Sequence, residues 1–281
     1  MTDDARRRYW TEQMEAAWDF MQAVRTYPVE ECGEPMLPLP AAAGEAGVEV
    51  AYSPLPHAGG GPRYYWLRRG LVPSFLAVAR EMNARGWVLK LEDVFRTTAM
   101  QRYNARRDDV FLAVLRRTQW ECGGETPPLE LLMRRLAALI ASSPRVGTHL
   151  CGSAMDITVL DRDSGAEVDR GGPYIELSER TPMASPFVSA QARHNRREIT
   201  ALLARHGFTA YPWEFWHYNA GDTYAELLAG AGRPARYGSV HLDPTTGEVA
   251  PIEQPDVPLN TADDFRELLQ CALAEERGTK T

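Results

Sequence analysis

The chain reads as an α+β protein, a small and mainly antiparallel sheet with helices packed on it. Two patterns predict that class. Helical periodicity fills most of the chain up to residue 142, whereas short strand-like stretches gather around residues 153–160 and 208–218. Helices and strands therefore do not alternate as a doubly wound fold requires. A third observation sets the scale: 281 residues, 44% hydrophobic and 25% charged, suffice for a sizeable core.

Each element has its own signal. Residues 3–26 carry Trp10, Met14, Ala17, Trp18 and Met21 at three- and four-residue spacing, which predicts a helix with one apolar face. Pro28 ends it. Residues 28–62 are rich in Pro, Gly and Ala and read as irregular, with a turn at Gly59-Gly60-Gly61-Pro62 that lacks the Lys of a phosphate loop. Pro73 to Arg85 is helical with Gly86 as its stop, and Trp87 to Glu92 alternates as a strand. Thr97 or Thr98 caps one long helix to about Arg117, and Pro127-Pro128 opens another over Leu129–Ser142. Ser153–Leu160 is a strand, followed by a turn at Asp161–Gly165 and a return strand from Ala166. Residues 170–188 form a long loop of the kind that is often functional. Ser189–His206 is a helix, and Phe208–Tyr211 and Phe215–Tyr218 are short strands. Val240–Pro251 suggests a hairpin, and Thr261-Ala262-Asp263-Asp264 opens a last helix with a capping-box pattern. These elements group into a central core over 63–222, an N-terminal helix and irregular segment over 1–62, and a C-terminal extension over 223–281.

Charge and composition exclude several classes. The net charge of −7 argues against a general nucleic-acid binder. Arg6, Arg7 and Arg8 lead into an amphipathic helix, not an apolar signal core, and no run of eighteen apolar residues exists. No membrane partner is expected, and a cytoplasmic location is the default. Cys32, Cys122, Cys151 and Cys271 are widely spaced and read as free thiols.

The stretch richest in chemistry is Thr148-His149-Leu150-Cys151-Gly152-Ser153-Ala154-Met155-Asp156, with a distant companion, Glu214-Phe215-Trp216-His217. His149, Asp156 and His217 are three ligands of the kind zinc accepts, one ion per chain, with a fourth position open to water. Glu214 is then free to move protons. The spacing of seven between His149 and Asp156 would put them on opposite faces of one strand. Gly152 resolves this if His149 sits in a bend before the strand, and Gly152 and Ala154 leave room near an ion. Cys151 reads as a small side chain filling space, with a redox thiol or extra ligand as the sharper alternatives. His57, His194, His206 and His241 lack ligand spacing. Trp216 reads as a packing wedge or a stacking surface for substrate, and Tyr174, Glu176 and Ser178 can shape a pocket.

The pattern His-x-x-x-Gly-x-Ala-x-Asp followed by Glu-x-Trp-His resembles the D-alanyl-D-alanine dipeptidase family of zinc peptidases. More distant relatives are the D-Ala-D-Ala carboxypeptidases and the amino-terminal domain of hedgehog proteins. The likeness runs from about Leu67 to Asn219 and includes Asn195-Arg196-Arg197 and Arg96 after a predicted strand. It implies that Glu214 takes a proton from zinc-bound water and returns it to the leaving amine. It also implies that Arg96 stabilises the oxyanion. The plain alternative for Arg96 is a salt bridge to Glu92 or Asp93.

Two departures bear on substrate. The family's Ser two residues before the first His is Gly147 here, leaving Thr148 or Arg145 to replace its hydroxyl. The acid expected to grip a free amino terminus falls at Val188, in Met183-Ala184-Ser185-Pro186-Phe187-Val188. The sequence thus predicts a hydrolase of a small peptide, dipeptide-like, with substrate contacts from Thr148, Trp216 and Tyr174. A carboxypeptidase or amidase on cell-wall peptides and a non-catalytic zinc-binding interaction domain are the alternatives.

Overall fold

The computed structural model describes residues 2–57 and 61–278, so part of the turn expected at Gly59-Gly60-Gly61-Pro62 lies outside the described residues. Helix α1 spans Asp3–Thr26, capped by the Thr2 hydroxyl, and buries Trp10, Met14, Ala17 and Met21 along one face. The segment expected to be irregular holds β1 (Met36–Pro38), α2 (Leu39–Glu45) and β2 (Val50–Tyr52). These pieces are three to seven residues long and owe their form to pairing across the fold, which no local periodicity announces. Next come β3 (Trp66–Arg68), α3 (Val72–Ala84) and β4 (Trp87–Asp93).

The single long helix expected after Thr97 is two: α4 (Thr98–Asn104) and α5 (Asp108–Glu121). Thr97 caps the first through the Met100 amide, and Asp108 and Asp109 favour a fresh N-terminus for the second. Helix α6 (Leu129–Leu139) follows, then β5 (Ala154–Asp161). The return strand from Ala166 reduces to an isolated bridge between Leu160 and Glu167. Residues 170–188 carry no helix or strand. Helix α7 (Ala190–Arg205), with Ser189 as its cap, leads to β6 (Thr209–Ala210) and β7 (His217–Asn219). A short helix the sequence reading missed, α8 (Thr223–Ala229), is capped by Asp222. The hairpin β8 (Val240–Leu242) and β9 (Val249–Pro251) and helix α9 (Ala262–Gly278) complete the chain. Thr261 and Asp264 exchange the expected capping hydrogen bonds, amide to carboxylate at 2.7 Å and amide to hydroxyl at 3.2 Å.

The main sheet has the order β2-β4-β5-β7-β6, with only β2–β4 parallel. Its alternation decides where the site lies. Leu89 and Leu91 of β4, Met155, Ile157 and Val159 of β5, and Tyr218 of β7 face one core with Phe75, Val78 and Met82 of α3 and Ile199, Leu202 and Leu203 of α7. Asp156, Thr158 and His217 therefore point to the other face. A second core joins α1, α5, α6 and α9 through Trp10, Phe111, Leu115, Leu136 and Phe265. The N- and C-terminal helices thus share one apolar cluster with helices of the central segment.

Candidate metal centre

Three neighbouring strands bring carboxylates and imidazole into a row. Asp156 on β5 pairs directly with His217 on β7. On its other side β4 slips by one residue between Leu91 and Asp93, so that Asp93 opposes Asp156. That bulge turns Asp93 out of the Leu91 face and toward the site. His149 does not come from the strand. It sits in a tight turn over Thr148–Cys151, which Gly152 ends at φ +65°. The turn is fastened by Arg68, whose Nε donates to the Cys151 carbonyl at 2.6 Å, and by the Arg96 amide on the His149 carbonyl at 3.3 Å. The space beside Gly152 belongs to Met36, whose Cε would lie 2.2 Å from an added Cβ. Its freedom serves that close packing and the left-handed turn, not an ion.

His149, Asp156 and His217 each offer one ligand atom, all within 4.8 Å of one another and all buried. His149 Nδ1 donates to the Val94 carbonyl, which leaves Nε2 a lone pair. That Nε2 is buried, hydrogen-bonds to nothing, and lies 3.2 Å from Asp156 Oδ1. His217 Nδ1 lies 2.9 Å from the same oxygen, and its Nε2 meets the Thr148 hydroxyl at 3.0 Å. Thr148, expected against substrate, is thus the partner that holds the second imidazole. Burial lowers the His217 pKa despite the neighbouring carboxylate, which favours the neutral ring a metal requires. Burial alone would raise the Asp156 pKa. His149, His217 and Arg96 outweigh it and hold the group ionised.

Arg96 is engaged on three edges. Its Nε donates to Asp93 at 2.8 Å, Nη2 to Asp156 Oδ2 at 2.7 Å and Nη1 to the side-chain Oε1 of Gln101 at 3.3 Å. The plain alternative, a salt bridge to Asp93, is therefore present. Two of its five N–H groups remain for a ligand, and the residue lines the cleft. The Tyr174 hydroxyl donates to Asp156 Oδ2 at 2.9 Å, and burial beside that carboxylate holds its pKa far above the usual value. Trp216 is buried edge-on to Tyr174 and Phe215, a wedge that also reaches the cleft. Glu214 stands in the turn before β7, buried, with no hydrogen-bond partner for its carboxyl among the described residues. Burial, and then the Asp156 carboxylate, push its pKa well above the ordinary range against the pull of Arg96.

Other expectations resolve differently. Arg145 pairs with Asp256 at 3.3 Å, so it does not stand in for the missing serine. Cys151 is a buried thiol, raised far above its usual pKa by burial and 3.4 Å from the Gly147 carbonyl, and is a space-filler. Glu176 accepts from Arg180 at 2.7 Å and, with Ser178, lies off the cleft. Asn195 and Arg196 lie inside α7 and clasp the long loop. Arg196 donates to the carbonyls of Arg170, Pro182 and Arg180 at 2.7–2.9 Å, and Asn195 to that of Asp169 at 2.8 Å. Sequence reasoning missed Gln101 and Asn104 as cleft residues, although their spacing of three on α4 is the signal that one face carries both. It also set aside His57, which reaches the cleft 3.8 Å from Asp93.

An α+β fold whose buried cleft gathers two imidazoles, a carboxylate and an unpaired glutamate is that of a metallopeptidase. Residues 134–231 match the D-ala-D-ala dipeptidase family, peptidase M15. A D-alanyl-D-alanine dipeptidase of Synechocystis is 29% identical over 219 residues, 69% of this chain and 85% of that protein. One of Enterococcus faecium is 35% identical over 75 residues, 27% of this chain and 37% of that one. Among solved structures, the LdcB LD-carboxypeptidase aligns over 75% of this chain and 81% of its own at 15% identity and a TM-score of 0.38. Over residues 134–231 the chain is thus similar to the D-alanyl-D-alanine dipeptidase family.

Proposed function

We propose that the chain is a zinc-dependent peptidase that cleaves the amide bond of a dipeptide or short peptide, with D-alanyl-D-alanine as the leading substrate. One observation carries this reading: three metal-ligand atoms meet within 4.8 Å beside a glutamate that has no partner. Two imidazoles and one carboxylate are a donor set that zinc accepts in hydrolytic enzymes, three protein ligands with a position left open. The geometry fits a cation. Two electron-rich atoms, His149 Nε2 and Asp156 Oδ1, face each other at 3.2 Å in a buried setting and repel unless positive charge lies between them. When bound, zinc supplies a Lewis acid that acidifies water and polarises a carbonyl.

The chain's own groups do the rest. Glu214 accepts the proton of the attacking water and returns it to the leaving amine. Arg96 offers its two remaining N–H groups to the developing oxyanion, and Asp93 holds the guanidinium in place. Tyr174 and Arg96 occupy Asp156 Oδ2, which leaves Oδ1 to the metal. Residues 63–222 form the catalytic core in this reading, with 1–62 and 223–281 as extensions. One zinc per chain, a small peptide substrate and a cytoplasmic location complete it. The four cysteines, all free, support a reducing compartment. Among the described residues no helix is long and apolar enough to cross a membrane.

A carboxypeptidase acting on longer cell-wall peptides is the second reading. It is favoured by Val188, which stands where an acid for a free amino terminus was expected and is buried against Gly171. The test is Glu214→Gln with a panel of D,D-, L,D- and L,L-peptides. Turnover should fall by about 10²–10⁴-fold with one zinc retained. Unimpaired turnover rejects the assigned base, and rapid cleavage of free dipeptides alone rejects the carboxypeptidase.

A further inference from the structure

Among the described residues, Ile175 is the only non-glycine residue with a positive φ, at 61°. A β-branched residue avoids that region because its Cβ crowds the following carbonyl. Such a conformation persists only where the surroundings fix it.

Here both flanks are fixed. On one side Tyr174 donates to Asp156 Oδ2 at 2.9 Å and packs edge-on against Trp216. On the other, Glu176 is tied to Arg180 at 2.7 Å, Glu179 to Arg117 at 2.9 Å and to Arg6, and the Arg180 carbonyl to Arg196 at 2.9 Å. The turn is tight as well: a Cβ on Gly172 would lie 2.9 Å from the Glu176 carboxylate. Between these anchors Ile175 lines the metal cleft next to Tyr174. The cleft encloses only about 90 Å³. That is small against the several hundred Å³ of an ordinary ligand pocket.

We propose that Ile175 is the size gauge of this site: held in a left-handed turn, it closes the side-chain subsite beside the scissile bond and restricts the substrate to methyl-sized residues there. The inference rests on the peptidase reading above and adds to it the residue that sets side-chain selectivity. The loop carries the gauge because its anchors lie on α1, α5 and α7, so the turn cannot relax by moving the loop.

The test compares the wild type with Ile175→Gly and Ile175→Ala, all zinc-loaded. The substrates are D-Ala-D-Ala and two series in which either D-Ala is replaced by D-Val, D-Leu or D-Phe. The wild type should cleave D-Ala-D-Ala best. In both variants the ratio of kcat/KM for at least one bulky series to that for D-Ala-D-Ala should rise about 10-fold or more, the scale of a methylene-sized change in an apolar pocket. Glycine also removes the backbone conflict, so its Tm should not fall. The alanine variant keeps a Cβ to hold the turn and covers the case in which glycine loosens the loop. A ratio within threefold of wild type in both variants, with metal bound and activity present, overturns the gauge. So does a wild type that cleaves a bulky dipeptide as fast as D-Ala-D-Ala. A zinc-loaded wild type that cleaves nothing in the panel overturns the dipeptidase reading, and the gauge with it.

Discussion

Thr148→Val isolates the smallest part of the metal centre. Valine keeps the shape and removes one hydroxyl, the group 3.0 Å from His217 Nε2. Both side chains are about 4% exposed, so no bulk water replaces the lost partner. For His217 to present a lone pair at Nδ1, its proton must sit on Nε2, where the Thr148 oxygen accepts it. Without that oxygen the metal-ready ring carries an unsatisfied buried N–H, which costs roughly 1–3 kcal/mol. Loss of an outer hydrogen-bond partner of a ligating histidine weakens metal affinity by about 10–100-fold, or about 1.4–2.8 kcal/mol, so the two routes agree. Zinc affinity measured by chelator competition should fall by that factor in Thr148→Val and stay near wild type in Thr148→Ser, which keeps the hydroxyl. Turnover at saturating zinc should fall far less than affinity does. A zinc Kd within twofold of wild type in folded Thr148→Val would refute the tautomer argument.

Arg96→Ala should lower kcat on the order of 100-fold if its spare N–H groups serve the oxyanion, and a change under threefold in steady-state rates rejects the role. Glu81, half-buried on the surface, is pulled down to about 2 chiefly by hydrogen bonds from His206 and Arg205. Its folded pKa is depressed, so its stabilisation is full above the unfolded pKa of ~4.3 and disappears as pH falls through 2. Glu81→Gln should therefore cost up to about 1 kcal/mol in urea melts at pH 7, with the difference from wild type shrinking steadily below pH 4. Equal deficits at pH 7 and pH 2 would count against it. Gly152→Ala forces a Cβ toward Met36 at a φ of +65° and should destabilise by about 1–2 kcal/mol, again read by urea; a loss under 0.3 kcal/mol would show the turn to be permissive.

What the sequence carried, and what it did not, follows from the range of each signal. Helices α1, α3, α6 and α7 were legible because apolar residues recur every three or four positions and Pro, Ser or Gly residues mark their ends. Strands β1 and β2 were not, since three residues hold no period and their pairing partners lie 28–39 positions away. The break between α4 and α5 hid behind a continuous helical pattern, and with it the cleft positions of Gln101 and Asn104. For the site, residue types and spacing pointed to His149, Asp156, His217 and Glu214 because chemistry restricts which side chains can do this work. Asp93 was open only as a salt-bridge partner of Arg96. Its turn toward Asp156 depends on a one-residue slip of β4 that no residue type encodes. Thr148 reads as a replacement for the hydroxyl missing at Gly147, but nearness in sequence alone does not say which way a hydroxyl points, and it meets His217 instead.

The long loop is where these scales meet. Its composition marks it only as irregular, yet it reaches the metal ligands through Tyr174 and the cleft through Ile175. A loop of this length without secondary structure has little intrinsic order, so its position must be imposed. Two buried arginines do so at its base: Arg170, donating to the Ile157 and Phe215 carbonyls, and Arg196, stacked on the Phe215 ring at 4.1 Å. Phe215 lies between Glu214 and Trp216, so the same short segment that carries the candidate base also seats the loop's anchors. At the far end Glu179 is buried between Arg117 of α5 and Arg6 of α1, both outside the matched stretch of residues 134–231. A buried carboxylate needs cationic partners to stay ionised, and Arg6 and Arg117 share that task for Glu179. The N-terminal helix is therefore part of what fixes the cleft wall, although it carries none of the chemistry.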